Sequence, residues 1–465
     1  MNGITKYSIP VLAVLMLAAC DSDNDDAAPV VEPPPPPPAS TYVRVHHSVA
    51  DAPDVNVLLD GEIALEAVPF GASSGVIELE EATYSIQVDG ILADETTATV
   101  IGPADVELNA DMRYEVFAVG KVGDESIAPL IFANDYTAVS SGNTRVEVVH
   151  AAPDAPPVDV YVTTPGADLS AESAVTTLAF SDNSGQVEVP AGDYQVRITV
   201  AGEPASVVYD SGTLTLADGA DLVVAAVANT MTGDSPVMLQ VADGEGAVLV
   251  PDVDAGADIR VVHASADAPA VDVTVNNAAE PAIPGLQFLS ATDFINLPAG
   301  DYLFDVAAAG GDPLVLDDVP LTLATSDQLS VYAVGALSDS SLTLAVISDM
   351  QRRIATEAQI QLVHASPSAG NVDIYVTTTE DLTDATPAFA DVPFAATALV
   401  STGYVSLPPG DYVVTVTAAG TTTPAIGPVN LTLEGGGIYT AAAVDATGGG
   451  LPPQLLLLDD LAPAM

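Results

Sequence analysis

The chain has 465 residues, of which 49% are hydrophobic, so it is long enough for about three or four domains with apolar cores. Aromatic residues make up 5% and there is no Trp, which means that those cores must consist mainly of Val, Leu, Ile and Ala. Nine Lys and Arg against 64 acidic residues give a formal net charge of −55, which excludes a general nucleic-acid binder because phosphates need a basic face.

Residues 1–19 have the pattern of a bacterial lipoprotein signal peptide. Lys6 precedes a short apolar run, and the run ends in Leu17-Ala18-Ala19-Cys20, which resembles a lipobox. Cys20 is the single Cys of the chain, so we expect it to carry lipid and to anchor the protein in the cell envelope. The outer membrane or cell surface is favoured, although Asp21 leaves inner-membrane retention open.

Residues 20–40 predict a disordered tether behind that lipidated Cys. Asp and Pro dominate this stretch, and no apolar periodicity is present. The six residues from Pro33 to Pro38 favour polyproline II, which is a stiff spacer.

One motif then occurs four times. Its second copy runs from Arg145 to Val162 and reads RVEVVHAAPDAPPVDVYV, and the copies recur at intervals of about a hundred residues. This spacing predicts four tandem domains over residues 41–143, 144–257, 258–357 and 358–465. One His belongs to each copy of the motif: His47, His150, His263 and His364.

Each copy starts with an alternating strand. In the second copy Val146, Val148 and His150 share one face, and Arg145 and Glu147 share the other, which is typical of a half-buried strand. A loop with Asp-Ala-Pro and a second strand follow.

A turn and a Tyr form a second landmark. Pro-Ala-Gly-Asp-Tyr in the second and third copies predicts a turn that leads into a strand. The Tyr resembles a tyrosine corner, whose hydroxyl bonds to nearby backbone. A Phe precedes it at a constant spacing in three copies, which favours a shared core. The four Tyr residues are Tyr84, Tyr194, Tyr302 and Tyr412.

The pattern as a whole predicts an all-β protein. Gly, Asp and Pro turns recur about every ten residues, and no amphipathic helix of four turns is evident. We therefore expect four tandem immunoglobulin-like, Greek-key β-sandwiches. Joined end to end, four such domains would span roughly 130 Å.

The motif resembles the bacterial domain of unknown function 4397. The residues that carry the resemblance are V-V-H-A-(S/A)-x-D-A-P-x-V-D-V-x-V, followed by L-P-A-G-D-Y. The first copy lacks the Pro-Ala-Gly-Asp turn, and the fourth has Ser368 in place of the first Asp. The resemblance implies an all-β envelope or secreted protein, often lipid-anchored, with no established activity.

The repeated His and Asp allow three interpretations. Catalysis needs a nucleophile that repeats with the His, but the positions of Ser48 and Ser265 are Ala in the second copy. A transition-metal site needs three or four converging ligands, and only the first copy adds a second His, His46. The favoured interpretation is structural: a buried, neutral His bonds to loop backbone or to the Asp. We therefore predict no catalytic residue, no cofactor and no enzyme activity.

Calcium is the alternative use of the acids. The Asp of the loop and the Asp of the second strand, with backbone carbonyls between them, could bind a hard cation. The candidates are Asp154, Asp159, Asp267 and Asp272.

Two functional classes follow. The first is a non-enzymatic cell-envelope lipoprotein whose sandwich array serves adhesion, spacing or surface structure. The second is a binding module for a glycan or a partner protein, with or without the help of Ca²⁺. The first is favoured because the repeated aromatics are expected in cores and Trp is absent. The expected contacts are a membrane, through the lipid, and a partner in the envelope or matrix; nucleic acid is not expected.

Overall fold

The computed structural model describes residues 39–396 and 398–459, and the described residues belong to one compact unit. The signal peptide, Cys20 and the tether up to residue 38 lie outside the described residues. In the described part of the chain strands dominate, with one single-turn 3-10 helix at Leu169–Ala171. Within the described ranges, no helical segment is long and apolar enough to span a bilayer.

The strands fall into four successive sets, which we call modules 1 to 4. Module 1 contains β1 (Ser40–His47), β2 (Val55–Leu59), β3 (Glu62–Val68), β4 (Ile77–Glu80), β5 (Ala82–Ile91), β6 (Thr97–Leu108), β7 (Met112–Val119) and β8 (Ala128–Asp135). Module 2 contains β9 (Asn143–His150), β10 (Val158–Thr163), β11 (Thr176–Leu178), β12 (Asn183–Pro190), β13 (Gly192–Val200), β14 (Val207–Leu216), β15 (Asp221–Ala228), β16 (Val237–Ala242) and β17 (Ala247–Val250). Module 3 contains β18 (Ala257–His263), β19 (Val271–Val275), β20 (Ile283–Leu286), β21 (Ile295–Leu297), β22 (Gly300–Ala308), β23 (Leu314–Leu323), β24 (Gln328–Val334) and β25 (Thr343–Ser348). Module 4 contains β26 (Ala358–Ala365), β27 (Val372–Thr377), β28 (Phe389–Val392), β29 (Val400–Leu407), β30 (Gly410–Ala418), β31 (Pro424–Leu433), β32 (Ile438–Val444) and β33 (Gln454–Asp459).

Every module is a sandwich of two sheets with the same strand order. Sheet I holds the first, fourth, seventh and eighth strands, and sheet II holds the second, third, fifth and sixth; β17 extends sheet I of module 2. The first strand pairs in parallel with the seventh, for example Val45 beside Val116. The prediction of four all-β sandwiches is confirmed. Their strand order differs from that of an immunoglobulin constant domain, whose sheets are ABED and CFG.

The modules pack in pairs through sheet I. Val262 and Tyr332 of module 3 share an apolar cluster with Val363 and Ala442 of module 4. A matching cluster joins modules 1 and 2. Each module thus offers the same face to its neighbour, as the subunits of an isologous dimer do. The expectation of sandwiches joined only end to end is therefore wrong for these pairs.

The first and seventh strands of sheet I are consequently buried on both faces. The prediction that the first strand is half-buried is wrong, since Val149 and Glu147 are 0% and 1% exposed on the face opposite His150. The neighbouring module covers that face. The seventh strands carry the signal for this arrangement, because β15 reads DLVVAAVA, a near-continuous apolar run typical of strands buried on both sides.

The connection between modules 3 and 4 also contacts module 1. Nε of Arg352 donates to the carbonyl of Ala50 at 3.0 Å, and its guanidinium donates to the carbonyl of Ala52 as well. The same guanidinium lies 5.1 Å from the ring centroid of Phe70, within cation–π range. The loop after the motif His of module 1 therefore connects the two pairs.

Candidate functional site

The motif His is buried at the end of the first strand in every module. All four are at most 1% exposed, and each pairs with an Ala of the seventh strand, as His263 does with Ala333. Each ring Nε2 bonds to the carbonyl oxygen six residues later, within the following loop. The four contacts are His47 to Pro53 at 3.0 Å, His150 to Pro156 at 3.2 Å, His263 to Pro269 at 2.9 Å and His364 to Gly370 at 2.7 Å.

This geometry fixes the protonation state of the ring. A carbonyl oxygen can only accept, so Nε2 carries the proton and Nδ1 does not. Burial lowers the pKa of all four His residues, and that of His47 falls to about 4. Among the described residues, Nδ1 of His150 and His263 has no hydrogen-bond partner. A buried ring whose proton is held by loop backbone is not positioned to act as a general base on a solute.

A Phe packs edge-on against each of these rings. The ring centroids are 6.2 Å apart for His47 and Phe70, 6.4 Å for His150 and Phe180, 6.0 Å for His263 and Phe288, and 6.0 Å for His364 and Phe394. Phe180 is nevertheless 37% exposed, so the expectation of a core residue is wrong in module 2. The Phe contacts the His in every module although the number of residues between the two differs; its constant spacing in three copies is to the corner Tyr.

The loop Asp ties its loop to the turn between the seventh and eighth strands. The carboxylate of Asp51 accepts the N–H groups of Val122 and Gly123, both at 2.9 Å. Asp267 accepts two successive N–H groups in the equivalent turn of module 3, at 2.8 and 2.9 Å. Each carboxylate therefore satisfies two turn amides that would otherwise need water.

The other two modules vary this contact. In module 4 the acid lies in the turn itself: Asp445 accepts the hydroxyls of Ser366 and Ser368 and the N–H of Ser368. In module 2 Asp154 forms an ion pair with Lys121 of module 1 at 2.9 Å. The loop of module 4 lacks the acid of the motif, and an acid in the turn between the seventh and eighth strands takes its place.

The Asp of the second strand joins two elements of sheet II. Asp159, 7% exposed, accepts the Thr177 hydroxyl of the third strand at 2.5 Å and the Gly202 N–H of the turn between strands five and six at 2.7 Å. Asp272 accepts the N–H groups of Gly285 and Gly310 at 2.7 and 2.8 Å in the same places. These carboxylates hold the sandwich edge together.

The four calcium candidates do not converge. Asp154 and Asp159 bind separate elements, and Asp267 and Asp272 each bind two backbone amides. Over the described residues, one acidic group has ligand-like spacing, formed by Asp305, Asp317 and Asp318, and it contains none of the candidates. Calcium binding stays a prediction.

The four Tyr residues form the corner that the sequence indicates. Each hydroxyl donates to the carbonyl four residues earlier, across the turn that precedes the fifth strand. The bonds are Tyr84 to Glu80 at 2.9 Å, Tyr194 to Pro190 at 2.9 Å, Tyr302 to Pro298 at 2.8 Å and Tyr412 to Pro408 at 2.8 Å. Module 1 makes the bond without the Pro-Ala-Gly-Asp turn.

The two Ser residues considered as nucleophiles are buried and bonded elsewhere. Ser48 donates to the side-chain oxygen of Gln240 in module 2 at 2.6 Å, and Ser265 donates to the carbonyl of Gly335 at 2.8 Å. Neither hydroxyl donates to a motif His.

The structure also contains a buried charge network between modules 1 and 2, which the sequence patterns above do not predict. Glu115 is 0% exposed and contacts Arg44 at 2.6 Å, Arg113 at 2.7 Å and His46 at 2.9 Å. Burial alone would raise its pKa, but the hydrogen bonds from His46 and Arg44 lower that pKa to about 2. Burial also lowers the pKa of His46.

The network continues into module 2. Arg113 lies 2.5 Å from the carboxylate of Asp221, and Arg44 donates to the Asp221 carbonyl at 3.1 Å. Glu147 accepts the side-chain amide of Asn134, in module 1, at 2.7 Å. Burial and then the charge of Glu115 raise the pKa of Glu147 to about 6.

Modules 3 and 4 use the same positions with fewer charges. Arg260 occupies the position of Arg44 and lies 3.3 Å from Asp349, which also accepts the Tyr404 hydroxyl of module 4 at 3.3 Å. The alternation of the first strand places Arg44 and Arg260 on the face opposite the His. The chain has only nine Lys and Arg, and two of these occur at the same position of the repeat. This coincidence is the feature of the sequence that could have indicated an interface on this face.

Comparison with known families gives a direct match. The family described as Domain of unknown function (DUF4397) matches residues 41–161 and 257–375, together just over half of the chain. The chain belongs to this family. Each DUF4397 match covers one whole sandwich and continues into the second strand of the next, so it contains two copies of the His motif. No curated protein matches the chain.

Two solved structures have a distant similarity to this DUF4397 chain. One is of family 41 carbohydrate-binding modules from streptococcal virulence factors, described for alpha-glucan recognition, at 12% identity and a TM-score of 0.16, covering 44% of this chain and 96% of that one. The other is a product complex of SpuA, a multi-modular glycogen-degrading pneumococcal virulence factor, at 11% identity and a TM-score of 0.17, covering 83% of this chain and 37% of that one. At these TM-scores the similarity carries no functional argument.

Proposed function

We propose that this DUF4397 chain is a non-enzymatic, lipid-anchored protein of the bacterial cell envelope whose paired sandwiches serve adhesion, spacing or surface structure. The main support is that the polar groups of the repeated motif are used inside the fold. The four His rings bond to loop carbonyls, and Asp51, Asp159, Asp267 and Asp272 hold backbone amides. Because these repeated residues serve the fold, we assign contact with other molecules to the outer surfaces, whose residues differ between the modules.

The lipid anchor is tested with Cys20→Ser in the full chain. The unsubstituted protein should fractionate with membranes and enter the detergent phase, whereas Cys20→Ser should remain in the aqueous phase, because the apolar run before Cys20 is short for a membrane span of ~20 residues. Protease accessibility on intact cells then distinguishes the cell surface from an inner leaflet. Equal partitioning of both forms would contradict the anchor.

The structural role is tested by complementation. Cells that lack the protein should attach less to a surface or matrix, and the attachment should return with a His263→Gln protein that has been shown to fold. An enzyme that used the motif His would not be restored by this variant. Loss of a hydrolytic activity in His263→Gln, with its fold intact, would overturn the non-enzymatic proposal.

A further inference from the structure

The core of module 1 contains space between its two sheets. A cavity of about 100 Å³ lies among strands β1, β2, β5 and β7 and reaches the edge strands β3 and β4 at Leu65 and Leu79. A second, of about 40 Å³, reaches the opposite edge strands β6 and β8. The side chains that both cavities share are Val45, Val57, Ile86 and Val116. The two cavities therefore adjoin, and together they cross the sandwich from edge to edge.

Strand register identifies one cause in sheet I. The Ala beside each motif His pairs across to the eighth strand, and its partner there is Pro129 in module 1. The equivalent residues in the other modules are Leu239, Leu344 and Leu455. Each of these Leu residues packs in its module's core, whereas Pro129 is exposed, so module 1 leaves this position at the sandwich edge unfilled.

Sheet II supplies a second cause. The corner Tyr pairs with the sixth strand, and its partner is Val106 in module 1. The equivalents in the other modules are Leu214, Leu321 and Leu431. Modules 2 to 4 thus have a Leu at both positions, whereas module 1 has Val106 and Pro129. Both of these residues line the smaller cavity.

The chemistry of the cavity selects an apolar occupant. Its walls are aliphatic except for the rings of His46, His47 and Phe117. Nε2 of His47 is bonded to Pro53, and both ring nitrogens of His46 are bonded, to Ser73 and Glu115. A buried water needs two to four polar partners, whereas apolar cavities stay dry and accept hydrocarbons.

We propose that module 1 binds the end of an aliphatic chain in this cavity, with the polar head of the ligand left outside the sandwich edge. The long axis between the two sheets suits an unbranched chain, and the aliphatic walls exclude a charged or hydroxylated one. The ligand class is a fatty acyl chain, either as a free fatty acid or as part of a membrane lipid. Val106 and Pro129 distinguish the wall of this cavity from the equivalent positions of modules 2 to 4, which carry Leu.

The probe is cis-parinaric acid, a polyene fatty acid whose fluorescence increases in apolar surroundings. Titrated into the unit from Ala39 to Met465, it should bind saturably at about one per chain, and decanoate should displace it. Val106→Leu with Pro129→Leu restores the residues of the other modules and should weaken binding at least about tenfold. After incubation with decanoate or with phosphatidylcholine vesicles and separation from them, protein that retains decanoate alone identifies a free fatty acid as the source, and protein that also retains phospholipid identifies a lipid acyl chain.

Two controls keep this test decisive. Val248, 63% exposed on module 2, belongs to a surface hollow that could take up the probe, so Val248→Ser should leave binding unchanged. Should the double variant fail to fold, Ala104→Val with Val106→Leu fills the space with residues that modules 3 and 4 carry at those positions. No saturable binding, equal binding by the filled variants, or loss in Val248→Ser would each overturn the proposal.

Discussion

At the scale of single residues, the motif His is an internal connector between a strand end and its loop. Its ring donates a hydrogen bond to the loop carbonyl and also packs against the Phe. An aliphatic side chain could make the second contact but not the first. His263→Ala should lower the free energy of unfolding by about 2–4 kcal/mol, because it leaves a cavity and a carbonyl without its donor. Chemical denaturation of the two proteins measures the loss. His263→Gln keeps a donor and should lose less; equal losses for Ala and Gln would show that the hydrogen bond contributes nothing.

Acid should destabilise this fold through its His residues. Burial lowers the folded-state pKa of all five, that of His47 to about 4, below the unfolded value near 6.5. Below about pH 6.5 the unfolded chain takes up protons that the folded chain refuses, and for His47 this window extends down to about pH 4. The free energy of unfolding therefore decreases as the pH is lowered through this window. The decrease is about 1.4 kcal/mol per pH unit for each His that stays neutral in the folded protein. Melting at pH 7.5 and 5.0 checks the sign, and His364→Gln should reduce the slope. A slope that His364→Gln leaves unchanged would contradict the assignment to the His residues.

The sequence could predict the burial of the His and the Tyr corner, because both follow from alternation and from a local turn. It could not choose between loop backbone and the Asp as the partner of the His, since the path of the loop is set by contacts with the seventh and eighth strands. It could not pair Asp154 with Lys121 either, because that bond joins two modules. Local periodicity predicts on which face of a strand a side chain lies. It does not predict which residue packs against that face, because that residue is distant in the sequence.

At the scale of elements, sheet I is the part of each sandwich that the sequence describes least well. The alternating pattern of β9 is interrupted by Val149, and this second apolar residue packs against module 1 rather than facing water. Conversely, the substitution of Ser368 for the loop Asp breaks the motif but keeps the contact, because Asp445 supplies the acid from the turn. A motif position can therefore be lost while its structural function is retained by the facing element.

Glu147, on the first strand of module 2, should make the interface of modules 1 and 2 sensitive to pH. Its folded-state pKa is raised to about 6 by burial and by the charge of Glu115, so the ionised carboxylate present at neutral pH destabilises the folded state relative to the unfolded chain. Glu147→Gln should therefore stabilise the protein at pH 7.5, by up to about 2 kcal/mol, with the gain vanishing as pH falls to about 4.5. One neighbouring Asn amide must turn to accept the new donor.

The matched control for this substitution is Glu66→Gln, which removes one negative charge from an exposed position. Denaturation curves of both variants at pH 7.5 and 4.5 separate interface from surface. The pH-dependent gain should occur only in Glu147→Gln. A loss of stability at pH 7.5, or an equal gain from Glu66→Gln, would show that the buried carboxylate is not disfavoured where it lies.

At the scale of the whole molecule, the few positive charges are concentrated inside. Arg44, Arg113, Arg145 and Arg260 are at most 4% exposed and lie at the faces where modules meet. The outer surface therefore retains most of a net charge of −55 with little local compensation. Such a surface repels itself, and dissolved salt screens exposed charges much more than buried pairs.

We accordingly expect the melting temperature to rise between about 0.02 and 1 M NaCl, over which the screening length falls from roughly 20 Å to 3 Å. KCl at equal ionic strength should give the same rise, because screening does not depend on the identity of the cation. CaCl₂ at matched ionic strength should add nothing, since Asp159, Asp267 and Asp272 already hold backbone donors. An additional rise with calcium alone, abolished by a chelator, would show that a calcium site exists, either at these acids or at the group of Asp305, Asp317 and Asp318. A fall in melting temperature with NaCl would mean that the ion pairs between modules, rather than surface repulsion, dominate the electrostatics of the chain.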